Sequence, residues 1–241
     1  MKSKISIILF LITTSFIYPQ SDVRILSSDF NSVIIEYSPF YIDTSIVSVE
    51  GQQYRKTEFL FASIKNNDHW GSPMILERRL SVGVPSEFGN TIEIISFAYK
   101  ELAGSLIPVP TPVFDTLSIS YQYKQSSDYL TFRSPEEIVE FGEFGMVREI
   151  ASQTIKINPV RFEPLDRKIR LYTKILFRIN FSKNAVISSI PAGDFLDGVI
   201  LNYDVAKYWN HSVTDKHLNK KVTANSVLST GKWVRFETET E

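Results

Sequence analysis

From Asp22 onward apolar residues recur at every second position, not at the 3.6-residue spacing of a helix, which predicts strands with one buried and one wet side. The clearest run is Ile169 to Phe181. Ile169, Leu171, Thr173, Ile175, Phe177, Ile179 and Phe181 fall on one face, with Arg170, Lys174, Arg178 and Asn180 on the other. Ile155 to Phe162 reads as its partner strand, with Pro159, which cannot donate to a ladder, at an edge or bulge. Between them Pro164-Leu165-Asp166-Arg167-Lys168 makes a turn, Pro presetting φ and Asp accepting from the backbone, so the pair predicts a hairpin. Further strands are predicted at Val33–Tyr37, Leu76–Val84 and Thr91–Leu102, the last with apolar residues on both sides, so that both faces are expected to be covered. Pro108, Pro110 and Pro112 stand at alternate positions and favour an extended, ladder-free loop from Leu106 to Phe114, with Ser118–Gln125 resuming a strand.

Helix is scarce. Ser134-Pro135-Glu136-Glu137 has the form of a capping box, but only Ile138-Val139 follow before Gly142 and Gly145, so one or two turns are expected and Phe141–Gly145 reads as a turn. Asp194 to Trp209 places Phe195, Val199, Asn202 or Tyr203 and Ala206 at helical spacing and predicts a second short helix. The fold class is therefore mainly β: an antiparallel sandwich or barrel with one or two short helices.

The ends of the chain differ from its body. Met1-Lys2-Ser3-Lys4 is positively charged and leads into the apolar run Ile5 to Ile12, which closes at Tyr18-Pro19-Gln20. A charged start, a run shorter than the ~20 residues that span a bilayer, and a helix-breaking Pro make residues 1–20 a secretory signal peptide, cut near Gln20, with an uncleaved anchor helix as the alternative. No later stretch is long and apolar enough to span, so the mature chain is expected outside the cytoplasm and not in the membrane. Residues 21–210 form the β domain, and the polar residues 211–225, with Lys216, Lys220 and Lys221, have linker composition. Residues 226–241 open a new strand around Trp233-Val234-Arg235-Phe236, read as the start of a following β-module or as a strand that pairs back onto the domain.

Composition narrows the chemistry. The 241 residues hold 26 Lys+Arg against 27 Asp+Glu, so the basic excess of a nucleic-acid binder is missing. Cys is absent, which removes disulfides, thiolate metal sites and a cysteine nucleophile from this chain. His69 lies in the turn-like Asn66-Asn67-Asp68-His69-Trp70-Gly71, and His211 and His217 lie in the linker with no acid or Cys at metal-ligand spacing. No Ser sits in a Gly-x-Ser-x-Gly elbow, and Gly142-Glu143-Phe144-Gly145 lacks the Lys-Ser/Thr of a phosphate loop. Glu136-Glu137 is already explained as a helix cap, and Lys220-Lys221 as a solvated face. No catalytic, cofactor-binding or metal-ligating residue is assigned. The 13% of aromatic residues fit a core first and a carbohydrate platform second.

The order of segments carries a resemblance. Gly71-Ser72-Pro73-Met74-Ile75-Leu76 resembles a Gly-x-Pro-x-Leu-Pro motif without its second Pro. Phe144-Gly145-Met146-Val147-Arg148 precedes Ile157-Asn158-Pro159-Val160-Arg161-Phe162-Glu163-Pro164 and Lys168-Ile169-Arg170-Leu171-Tyr172. These resemble the propeptide domain of gingipain-type (family C25) cysteine peptidases, with its Pro-x-Gln-Tyr-Asn-Pro and Leu-Arg-x-Tyr signatures. Here Arg161, Phe162 and Glu163 replace Gln, Tyr and Asn. Phe195 to Tyr203 is similar to the end of that propeptide. Leu228-Ser229-Thr230-Gly231-Lys232-Trp233-Val234 resembles the segment after this domain in the sortase-like signal peptidase of the type IX secretion system.

The resemblance implies an exported, non-catalytic domain that assists folding of a peptidase in the same polypeptide and blocks its cleft until removed. The cognate peptidase domain is the implied partner, with secretion-system components as further ones. It also implies a loop that offers a basic residue to Arg-cleaving members. The segment most exposed by composition, Leu106 to Tyr123, has no Lys or Arg, and the nearest are Lys124 and Arg133. The alternative is a stand-alone secreted β-module that binds glycans or a cell-surface partner.

Overall fold

Alternating side chains form a sheet only when a second apolar layer covers one face, and here two sheets cover each other. The computed structural model describes residues 21–65, 70–102, 106–115, 120–132, 134–182 and 187–209. The signal segment 1–20, the linker 211–225, the strand expected over 226–241, all three histidines and Arg133 lie outside the described residues. The strands run in order β1 Val23–Ser28, β2 Ser32–Tyr37, β3 Tyr41–Asp43, β4 Ile46–Val49, β5 Gln52–Arg55, β6 Glu58–Phe59, β7 Ala62–Ile64 and β8 Leu76–Gly83. They continue as β9 Thr91–Glu101, β10 Val113–Asp115, β11 Ser120–Gln122, β12 Val139–Val147, β13 Ile150–Ile157, β14 Val160–Glu163 and β15 Lys168–Asn180, before helix α1 Tyr203–Ala206. All pairings between these strands are antiparallel.

The first sheet is built on β15. On one side β15 pairs with β9 along nearly its whole length; on the other it pairs first with β14 and then with β2, which carries β1. The second sheet has the order β12-β13-β8-β7. Between them lie Val33, Ile35, Tyr37, Ile175, Phe177 and Ile179 from the first sheet and Val82, Ile150, Ile155 and Ile157 from the second. The result is an antiparallel β-sandwich. A second core, with Tyr54, Phe59, Ile107, Tyr129, Phe162, Ile169 and Leu171, lies under the small pairs β3–β6 and β4–β5.

One strand serves both cores because of one extra residue. In the β15–β9 ladder Tyr172 pairs with Tyr99 and Lys174 with Ala98, leaving Thr173 as a bulge. Alternation resets there. Ile169 and Leu171 join the second core, whereas Tyr172, Ile175, Phe177 and Ile179 join the first, and Thr173 is exposed. The single apolar face expected from Ile169 to Phe181 is thus corrected to two faces, divided where β14 gives way to β2.

The β14–β15 hairpin forms as its turn predicts, with Val160 opposite Leu171 and Glu163 opposite Lys168. The partner strand is shorter than expected. Ile155–Ile157 belong to β13 in the second sheet, and Asn158-Pro159 carry the chain across to the first. Buried Asn158 holds this corner: its amide nitrogen donates to Glu137 O at 2.8 Å and its backbone N–H to Ile138 O at 2.8 Å.

Three further expectations are corrected. Ser134 caps no helix; its hydroxyl donates to Phe162 O at 2.7 Å and accepts from Phe162 N–H at 2.8 Å, tying the approach to β12 onto β14. Phe141–Gly145 is no turn but part of β12, with a bulge between Phe141 and Phe144. Asp194 to Trp209 holds only a 3-10 turn at Asp194–Leu196 and the four-residue α1, because Gly198 at φ 82° breaks the run and leaves Phe195 and Val199 exposed.

Candidate docking surface

Among the described residues no three His, Asp or Glu are arranged to hold a metal ion. Charged side chains do gather across the β12-β13-β8-β7 sheet, from Lys65 just after β7, Glu77 and Arg79 on β8 and Glu140 on β12. Glu77 is fully buried, receives Arg79 Nε at 2.5 Å and faces Lys65 Nζ at 3.9 Å. Lys65 also bonds Glu140 and, at 3.1 Å, Asn158 Oδ1. The hydrogen bond that Arg79 donates to Glu77 holds its guanidinium above its ordinary pKa. Each carboxylate here is matched by a cation, so the cluster cross-links strands and leaves no free base or nucleophile. An open groove of about 540 Å³ lies between Leu130, Phe132, Arg161 and the hairpin tip Leu165. Both hydroxyls that line it are already bonded, Ser134 to Phe162 and Thr131 Oγ1, as donor, to Asp128 O at 3.0 Å.

Surfaces are more informative. β9 is eleven residues long, pairs only with β15 among the described residues, and is exposed along most of its length. The expectation that both its faces are covered is corrected: Ile92 and Ile94 are half-buried against the core, but the carboxy-terminal half runs past the cover of the second sheet. There Phe97 and Tyr99 are 49% and 47% exposed. Their rings lie 5.5 and 6.0 Å from that of Tyr172, each edge to face, and the Arg170 guanidinium sits 4.5 Å over Tyr99.

The proline-rich segment is also corrected. Ile107, Val109 and Thr111 are buried, not exposed. Alternate prolines leave only alternate N–H groups to satisfy, and the fold satisfies them: Val109 N–H donates to Arg55 O at 3.0 Å and Thr111 N–H to Ser72 O at 2.7 Å. Tyr129 OH completes the set by donating to Pro108 O. What is exposed is β11, Ser120–Gln122, with Tyr121 and, just beyond it, Lys124.

The chain's last described turn is locked to the sandwich. Asn202, buried, donates from Nδ2 to Gly83 O at 3.0 Å and accepts at Oδ1 from Gly83 N–H at 2.8 Å. Gly83 must lack a side chain, since a Cβ there would stand 2.3 Å from Ala206 Cβ. Asn202→Leu leaves both Gly83 groups buried and unpaired, so it should cost about 2–4 kcal/mol, read as a lower urea midpoint at unchanged slope. A midpoint equal to wild type would show that the clamp contributes nothing.

Residues 16–206 match the family Propeptide_C25. The chain belongs to that family. Gingipain R2 of Porphyromonas gingivalis is 24% identical over 151 residues, a span of 57% of this chain and 20% of the relative, so the chain corresponds to one fifth of that protein. The fold is similar to that in a solved complex of the RgpB pro- and mature domains of Porphyromonas gingivalis, with a TM-score of 0.63, 19% identity, 77% of this chain and 100% of that one. It is also similar to a structure bearing on zymogenic latency of gingipain K from the same organism, with a TM-score of 0.53, 15% identity, 68% of this chain and 94% of that one. The Propeptide_C25 family is thus that of a propeptide, not of the peptidase it precedes.

Sequence reasoning assigned no site residue and missed Phe97 and Tyr99. Their signal was present in the uncharged stretch Ile94–Tyr99, but alternation alone does not say where the opposite sheet stops.

Proposed function

We propose that residues 21–210 are the exported propeptide of a gingipain-like C25 cysteine peptidase, which guides folding of the peptidase domain of the same polypeptide and occupies its cleft until removed. The observation that carries this is the family match over residues 16–206. The likeness to the fold seen in a pro- and mature-domain complex supports it. The physical basis is linkage: a domain that binds the native peptidase but not its unfolded chain stabilises the native form, and a covalent tether raises its effective concentration. The signal-peptide pattern of residues 1–20 supports export, and Asp22, buried and bonded to Arg78 Nε at 2.8 Å, fits a mature chain that begins just before it. Lys124, exposed just beyond β11, is the basic residue that follows the Leu106–Tyr123 segment, and it is the one assigned to the cleft of an Arg-cleaving member. The Leu228–Val234 resemblance points to the sortase-like signal peptidase of type IX secretion as the full protein.

Refolding of the encoded peptidase domain, with and without residues 21–210 added, tests this. Recovered peptidase activity should rise several-fold when the domain is present during refolding, and fall when it is added to the finished enzyme. Equal recovery in both arms together with no inhibition would end the proposal. A glycan-binding module is the second reading, favoured by exposed Phe97 and Tyr99. It is the weaker one, because Arg170 already covers one face of Tyr99.

A further inference from the structure

We propose that the outer edge of β9, over Ser96–Glu101, takes up an extended strand of the peptidase domain and so continues the first sheet into its partner. This rests on the propeptide reading. Every other sheet edge in the sandwich is guarded against strand addition. β1 is six residues long with a bulge between Ile25 and Ser27, and its Arg24 is paired to Glu36 at 3.0 Å. β14 has four residues and β7 three. β12 carries a bulge and two glycines, and its Glu143 is held by Lys156 at 2.8 Å.

In its second half β9 itself carries no bulge, no Pro and no Gly, and its one charge without an opposite partner among the described residues is Lys100. Its own bulge residue, Ile95, lies before the proposed segment, since Ile94 pairs with Phe177 and Ser96 with Leu176. The strand's acids are already neutralised within the domain, Glu93 by Arg178 at 2.9 Å and Glu101 by Arg170 at 3.4 Å. Between them Ile94-Ile95-Ser96-Phe97-Ala98-Tyr99 has no charge, no Pro and no Gly, the composition that pairs with any available strand. An edge of this kind is tolerated in a secreted protein when something covers it.

Two observations select the occupant. The family is that of a propeptide, and the chain matches one fifth of gingipain R2, so the relative has four further fifths of chain to offer a strand. The chemistry is set by the two faces of the edge. Phe97, Tyr99 and Tyr172 share one face and call for apolar residues at alternate positions of the incoming strand. Lys100, on the other face with its ammonium 5.7 Å over the Tyr41 ring, has no carboxylate partner among the described residues and calls for an acid opposite it.

The test uses the chain from Ser21 to Glu241 and the peptidase domain encoded with it, its nucleophile replaced by Ala. Amide exchange of Ser96–Glu101 should slow on mixing. Phe97→Lys should weaken binding by about 30-fold or more, while Ile46→Lys, an exposed apolar residue on β4, should bind as wild type. Phe97→Lys should keep the wild-type circular dichroism spectrum, because its ring is half exposed. Wild-type binding with unchanged exchange of Ser96–Glu101, or with Phe97→Lys and Tyr99→Lys both at full affinity, overturns the β9 assignment and leaves the propeptide reading standing. No binding by wild type brings down that reading and the β9 assignment with it. Protection of Ser96–Glu101 that depends on chain concentration, without peptidase, makes a second copy the occupant and also overturns the proposal.

Discussion

Deleting Leu176 should abolish folding, whereas deleting Thr173, three residues earlier in the same strand, should leave a folded domain. Thr173 is the extra residue of the β15 bulge, so its removal makes Tyr172 and Lys174 adjacent and keeps each opposite its present partner, Tyr99 and Ala98. Every buried side chain stays on its side. The expected loss is about 1–2 kcal/mol from altered twist. Leu176 has no such freedom. Its deletion moves Phe177 and Ile179, both fully buried, to the solvent side and turns Arg178 and Asn180 inward. Exposing two large apolar side chains costs about 4–6 kcal/mol and burying an unpaired Arg costs several more, together matching the ~5–15 kcal/mol that holds a typical domain. Soluble yield and a thermal circular dichroism melt read the difference. A cooperative melt from the Leu176 deletion would show that alternation in β15 does not specify the sandwich.

That contrast also shows what the sequence could convey. The β14–β15 hairpin was legible because its determinants are local: Pro164 and Asp166 set the turn, and alternation on either side sets the register. The bulge at Thr173 was not, because a threonine fits a strict alternating strand as well as a bulge; only the second core beneath Ile169 and Leu171 requires the change of face. Ser134 failed for a related reason. Its local pattern is that of a helix cap, yet its hydroxyl found Phe162, distant in sequence, and that long-range pair prevailed over a helix with too few turns to be stable. The prolines from Pro108 to Pro112 read correctly as extended and wrongly as exposed, since their burial depends on Arg55 and Ser72 arriving from elsewhere in the chain.

The candidate surface was less legible still. Absence of Cys removed a cysteine nucleophile from this chain, and that needed only composition. An interface is a different kind of object, defined by what a fold leaves uncovered. Phe97 and Tyr99 look like core residues in sequence, and they become a surface because β9 outlasts the sheet that faces it.

High pH should unfold this domain steeply, and the cause is buried phenols. Tyr37, fully buried, Tyr41 and Tyr129 all have hydroxyls pushed well above their ordinary pKa of 10.0, in each case mainly by burial, with smaller contributions from Asp22, Tyr37 and Tyr54 respectively. Tyr41 donates to Pro159 O at 3.0 Å and Tyr172 O at 2.8 Å, and Tyr129 donates to Pro108 O, so ionisation would also turn donors into anions facing carbonyl oxygens. In the unfolded chain each phenol ionises near pH 10. The folded state holds more protons above that point, and stability therefore falls as pH rises. All of the stabilisation is present below pH 10; above it each tyrosine removes about 1.4 kcal/mol per pH unit, or about 4 kcal/mol per unit for the three together. Urea midpoints should be level from pH 7 to 9.5 and drop sharply between pH 10 and 11.5. Tyr37→Phe should flatten the drop by a third at little cost near neutrality, because the Tyr37 hydroxyl has no hydrogen-bond partner to lose. A midpoint that holds level to pH 11.5 would mean that these phenols are open to water in the folded state.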